Sequence, residues 1–135
     1  MSGILIDTCM WSLAFRGKKP REAKVAKEIT VLIDENRAKI IGLIRQEVLS
    51  GYSDVKSYTA LKEKLSYFPN EPTIDVDYEV AAEYSNLCRR HGIQGSHAGF
   101  LICAVAVRTK MKIYTNDKDF RHYSKYLALA LHEEN

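Results

Sequence analysis

The sequence predicts an α/β fold, and three observations carry that prediction. Short aliphatic runs alternate along the chain with longer segments whose apolar residues recur every three or four positions. Such alternation builds a mostly parallel sheet with helices on both faces. The chain has 135 residues, 46% hydrophobic and 27% charged, which suits one core of ordinary composition and one domain over residues 1–135.

Ile4-Leu5-Ile6 reads as a strand buried on both faces, because so short an aliphatic run, bounded by Gly3 and the polar Asp7-Thr8, leaves no exposed side. Thr8 is placed to cap a helix carrying Trp11, Leu13 and Phe15. Arg16 to Pro20 is a break. From Arg21 to Asn36 the residues Ala23, Val25, Ala26, Ile29, Leu32 and Ile33 trace the face of an amphipathic helix. Lys39 to Ile44 reads as a second buried strand, and Arg45 to Leu49 leads to Gly51, which opens or bends the next helix. Glu47 therefore follows a strand, as Asp7 does. Ser53 to Phe68 has apolar residues at helical spacing and ends at Pro69-Asn70.

Thr73 to Val76 alternates and reads as a short strand. Asp77 to Gly92 is the most regular helix, with Asp77 as its cap and Gly92 as its terminator. Asp75, Asp77 and Glu79 read as cap and surface residues. Ile93 to Gly99 is a loop of small residues, and Phe100 to Arg108 a buried helix. Lys112 to Thr115 is a further strand, followed by Asn116-Asp117-Lys118-Asp119 and a short helix anchored by Phe120, Tyr123 and Tyr126. Leu127 to Leu131 reads as a last edge strand.

Several function classes are excluded. Cys9, Cys88 and Cys103 are odd in number and form no C-x-x-C pair, so neither a zinc site nor a disulfide framework follows. They read as buried free thiols of a reducing compartment. There is no basic leader with a long apolar stretch behind it and no run able to span a bilayer, so the expectation is a cytoplasmic protein without a membrane partner. No phosphate-binding or dinucleotide-binding glycine motif is present, and no G-x-S-x-G surrounds Ser96-His97. A net charge of +3 is too small to argue for nucleic-acid binding by itself. The clusters Arg16 to Arg21 and Arg89-Arg90 read as solvated surface, with RNA or DNA contact as the alternative. His91, His122 and His132 read as helix-end or surface residues; His97 is the histidine near the expected site.

Asp7, Glu47 and Asp117 share one topological description, since each follows an apolar strand. In a parallel sheet those strand ends converge on one edge, where ligands bind. Carboxylates gathered there repel one another, and a hard divalent cation, Mg²⁺ or Mn²⁺, relieves the repulsion through oxygen ligands. Such a metal suits phosphodiester cleavage, because it activates water, orients the phosphate and stabilises the leaving oxygen. A phosphoacceptor receiver domain also places acids at strand ends, but it would want paired acids near the first strand. Asp7 has no acidic neighbour and Lys118 is poorly placed for that role.

Ile4-Leu5-Ile6-Asp7-Thr8 with Trp11, Glu47-Val48-Leu49 with Gly51, Phe100 to Ala106, and Thr115-Asn116-Asp117-Lys118-Asp119-Phe120 resemble, in order and spacing, the PIN domains of VapC-type toxin ribonucleases. The resemblance runs from Ile4 to about His132. It implies a three-layer α/β/α PIN-like domain with a central, mostly parallel sheet. It also implies a metal-dependent endoribonuclease acting on tRNA, rRNA or mRNA, a homodimer, and a VapB-like antitoxin whose C-terminal segment covers the site. By the same resemblance Asp7, Glu47 and Asp117 match the first, second and fourth acids of the family, and Asp119 a frequent additional metal-binding acid. Thr8 and Thr115 match hydroxyl positions beside the site.

The chain departs from the pattern at the third acid. Leu101 to Ala106 matches the tail of the family's D-x-L-I-x-A-x-A signature, but Gly99 stands where the Asp belongs. No carboxylate lies between His91 and Asp117 to take its place. Loss of even an outer partner of a metal site costs roughly 10–100-fold in affinity or activity. The expectation is therefore a catalytically impaired ribonuclease, with a non-catalytic PIN-like module binding RNA or protein as the alternative.

Overall fold

The computed structural model describes residues 2–134. The chain runs β1 (Ile4–Ile6), α1 (Thr8–Arg16), α2 (Pro20–Asp34), β2 (Ala38–Ile41), α3 (Gly42–Ser50), α4 (Val55–Leu65), β3 (Asn70–Glu71), α5 (Asp75–Arg90), α6 (His97–Thr109), β4 (Lys112–Tyr114) and α7 (Asp119–Tyr123). The strands form one sheet in the order β3-β2-β1-β4, and every pairing is parallel. Leu5 lies opposite Lys39 on one side and Ile113 on the other. Helices flank the sheet in the expected three-layer α/β/α arrangement.

β1 is fully buried on both faces, as its unbroken Ile-Leu-Ile requires. Around it pack Ile40 and Ile41 of β2, Ile113 and Tyr114 of β4, and α6, whose residues Phe100 to Ala106 are all buried. Trp11 and Phe68 close one end with ring centroids 5.3 Å apart. The order of connections reverses beside β1: the chain proceeds outward to β2 and β3, then returns to place β4 on the other side. This reversal opens a crevice at the carboxyl ends of β1 and β4.

The structure corrects several sequence expectations. Strand β2 ends at Ile41, and Gly42-Leu43-Ile44 already belongs to α3, because Ile44 and Val48 form the buried stripe of that helix. A short apolar run cannot by its period alone separate strand from buried helix. Thr73 to Val76 is not a strand; β3 is the pair Asn70–Glu71, and α5 has begun by Asp75. Asp77 is not the cap of α5 but its third residue. It is 1% exposed, accepts from the Ile74 N–H at 2.9 Å, and receives two bonds from Arg108 of α6 at 2.7 and 2.9 Å. The last edge strand reduces to a single parallel bridge between Ile113 and Leu131. Asp7, not Thr8, caps α1. α6 starts at His97, so Gly99 lies in its first turn rather than in the loop before it.

Candidate active site

Asp7 leaves β1 and immediately caps α1, its Oδ1 accepting from the Thr8 N–H at 2.8 Å. Its other oxygen accepts from the Thr115 hydroxyl at 2.8 Å. Thr115 in turn accepts from the Asp117 N–H at 3.0 Å, so one hydroxyl ties the acid after β1 to the acid after β4. The Asp117 carboxylate accepts from the Asp119 N–H at 2.9 Å, which shapes the turn into α7. Glu47 arrives differently. It sits in the second turn of α3, and its Oε1 accepts from the Thr8 hydroxyl at 2.7 Å. Arg45 anchors that helix by donating to Asn70 and to the carbonyls of Leu65 and Phe68.

These groups line one cleft of about 280 Å³. Asp7, Glu47 and Asp117 face it, together with Thr8, Cys9, Ser96 and Gly99, over Ile102 and Phe120. Asp119 does not line the cleft; it starts α7 at the exposed surface. His97 lines a neighbouring groove instead. Among the described residues the acids share the cleft without closing into a three-ligand cluster, and each accepts a hydrogen bond, Asp7 from Thr115, Glu47 from Thr8 and Asp117 from the Asp119 N–H.

Asp7 is the electrostatic centre. Burial pushes its carboxyl above the ordinary value of 3.8, and the Glu47 charge adds to that, while Thr115, Thr8 and Cys9 pull the other way. The Cys9 thiol is also pushed up, first by burial and then by the Asp7 charge, so it does not offer a competing thiolate. The acidic side chains of the cleft, Asp7, Glu47 and Asp117, present oxygen alone. That donor chemistry fits a hard divalent cation, which would offset the desolvated Asp7 charge.

Gly99 stands on the cleft wall as the third residue of α6, and its N–H donates to the Ser96 Oγ at 2.9 Å. A Cβ there would lie 3.0 Å from Ser96 Oγ and 3.4 Å from the Tyr123 ring. The Ser96 hydroxyl has to yield by a few tenths of an ångström, which a short exposed side chain can do. Gly95 is a different case. A Cβ on it would approach the Phe100 ring to 2.7 Å and collide with the Tyr123 hydroxyl, so the loop leading to α6 needs glycine there. Sequence reasoning missed Thr8 as the support of Glu47, and it missed Ser96 and Cys9 as cleft residues. The Ser96-x-x-Gly99 spacing, a serine three positions before the first-turn amide it caps, was the available signal for Ser96.

The PIN domain family model matches residues 4–126. No curated protein sequence matches the chain. Among solved structures, the FitAcB crystal structure from Neisseria gonorrhoeae contains a chain similar in fold, with a TM-score of 0.77, 20% identity and 96% of each chain covered. VapBC2 from Rickettsia felis, bound to a DNA fragment from their promoter, gives 0.78 at 14% identity over 98% of each chain. FitAB bound to an IR36 DNA fragment gives 0.75 at 20% identity, again over 98% of each. At these identities the structures attest the fold, while the family match spans both strand-end acids and the Gly99 helix. The chain belongs to the PIN-domain family.

Proposed function

We propose that this chain is a PIN-type endoribonuclease toxin of a type II toxin–antitoxin module, and that Gly99 leaves its catalysis impaired. The observation that carries the reading is the cleft at the β1–β4 reversal, which gathers Asp7, Glu47 and Asp117 and has Gly99 on its wall. Mg²⁺ or Mn²⁺ held by Asp7, Glu47 and Asp117, with Asp119 at the outer edge, would supply water activation and charge neutralisation for hydrolysis of an RNA phosphodiester. The chain's own residues prepare that chemistry. Thr115 and the Thr8 amide hold both Asp7 oxygens, and the Thr8 hydroxyl holds Glu47. Ile102 and Phe120 form an apolar floor that keeps bulk water from the underside of the carboxylates.

The similarity to chains of FitAcB and VapBC2 supports a VapB-like antitoxin partner; on the same reading the chain is a cytoplasmic homodimer acting on tRNA, rRNA or mRNA. No helix among the described residues is long and apolar enough to cross a membrane. Gly99 itself favours a second reading, a non-catalytic PIN module that holds RNA or protein without cutting.

The test compares RNA cleavage in Mg²⁺ or Mn²⁺ by this chain, by Gly99→Asp and by Gly99→Asp combined with Asp7→Asn. The expected outcome is a gain of at least roughly 10–100-fold with Gly99→Asp that the second substitution abolishes. A carboxylate in the first turn of α6 complements the helix dipole but adds to the repulsion among the cleft acids, so cleavage is compared only after circular dichroism shows the variant folded in the metal buffer. Equal cleavage by the chain and a folded Gly99→Asp variant overturns the proposed impairment.

A further inference from the structure

A second groove, about 450 Å³ in volume, adjoins the acid cleft between α5 and α6, and Ala98 lines both. Its floor is apolar, from Leu43, Ala81 and Leu101. Along α5, Tyr78, Ala82, Ser85 and Arg89 recur at spacings of four, three and four, so they form one stripe facing the groove. Tyr78 is 58% exposed. Across from it, at the start of α6, His97 supplies a second ring at the rim. Arg89 rests on the Ser85 hydroxyl at 3.4 Å and makes no ion pair among the described residues. No carboxylate lines this groove, whereas the adjoining cleft is acidic.

We propose that this groove is a nucleobase subsite on the RNA path, seating an unstacked base next to the phosphate that lies over the acid cleft. The inference rests on the nuclease reading and extends it to a single-stranded segment as the element recognised. The chemistry agrees on each count. An apolar floor with exposed aromatic rings suits the face of any base, and a free guanidinium suits the adjoining phosphate. The volume is that of a small-ligand pocket, which runs roughly 300–1,000 Å³. Continuity through Ala98 places base and phosphate sites side by side. A second copy of the chain is the rival occupant. Light scattering separates that occupant from RNA, since a homodimer seated on the groove would dissociate when Tyr78 is truncated.

The experiment measures fluorescence anisotropy of labelled oligo(U) and oligo(A) octamers with the full chain and with Tyr78→Ala, His97→Ala and Arg89→Ala, in Mg²⁺ buffer. Tyr78→Ala and His97→Ala should each weaken binding on the order of tenfold without altering its salt dependence. Arg89→Ala should lower the slope of log K against log salt by about 0.7, one phosphate contact on a single strand. An octamer with one abasic position should bind the chain and Tyr78→Ala nearly alike. Binding equal to that of the unsubstituted chain in all three variants, or no octamer binding at all, overturns the subsite. So does light scattering in which the substitutions dissolve a dimer while RNA binding stays unchanged. Because the readout is binding, Gly99→Asp that binds RNA through this groove but never cleaves it sinks the nuclease reading alone.

Discussion

Replacing Thr115 by valine removes one hydroxyl and almost no volume, and that hydroxyl joins the two strand-end acids. It donates to Asp7 at 2.8 Å and accepts from the Asp117 N–H at 3.0 Å. Asp117 is exposed, so its amide finds water and the second loss is small. The first loss is a hydrogen bond to a buried carboxylate, worth about 1.5–3 kcal/mol. Urea denaturation at neutral pH should therefore show Thr115→Val less stable by about 2 kcal/mol. The same change removes a donor that holds the Asp7 carboxyl down, so its pKa rises further above 3.8. Below pH 3.8 the folded carboxyl is mostly neutral, and the penalty should shrink toward the roughly 1 kcal/mol of a neutral bond. Thr115→Ser keeps the hydroxyl and should stay near the parent. A Thr115→Val variant within about 0.5 kcal/mol of the parent, or a Thr115→Ser variant equally damaged, refutes the role assigned to the hydroxyl.

Two further outcomes follow from the buried charges. Asp77→Ala leaves Arg108 facing a buried gap between α5 and α6 and should cost about 3 kcal/mol in urea denaturation, the low end for breaking a buried pair because Arg108 is partly exposed. Arg108 holds the Asp77 carboxyl below 3.8, so its stabilisation is present above that pH and is lost as pH falls through the lower folded value; a loss unchanged by acid would contradict this. Asp7 has the opposite sign. Its folded pKa is raised, so the unfolded chain ionises first and stability falls as pH rises from 3.8 through the folded value. In Asp7→Asn the amide oxygen can keep the Thr8 N–H, but the NH₂ then meets the Thr115 hydroxyl, which has to turn and accept. Against that fixed cost the variant should gain on the parent as pH rises above 3.8 and lose the gain below it. A stability difference between Asp7→Asn and the parent that stays the same from acid to neutral pH would show that burial does not raise the Asp7 carboxyl.

Much of the candidate site was legible because two of its acids follow directly on aliphatic strands. Asp7 comes straight after β1, and Asp117 comes three residues after Tyr114 of β4. Glu47 lines the cleft, but the reason differs from the strand-end reading of the sequence. Its position depends on the helix α3 starting at Gly42, on Arg45 anchoring that helix, and on the Thr8 hydroxyl reaching it. Asp77 was misread because a carboxylate near a helix start looks the same in sequence whether it faces water or Arg108, which lies 31 positions away. β3 was missed because Asn70-Glu71 has no strand-forming residue types; it pairs only because β2 offers it an edge.

By itself the sequence determined the α/β class and the acids that follow strands, because each is a local pattern of residue type and spacing; that Gly99 stands where a third acid is expected came from the resemblance to the family. The order of the strands, and therefore which ends meet, was decided only in three dimensions, where β4 returns to the far side of β1. The same packing decided that Asp7 loses its water and that Thr115 bridges it to Asp117. It also set His97 in a groove beside the acids rather than among them. Burial, electrostatic coupling and groove shape arise from residues far apart in the chain, and no window of sequence contains them.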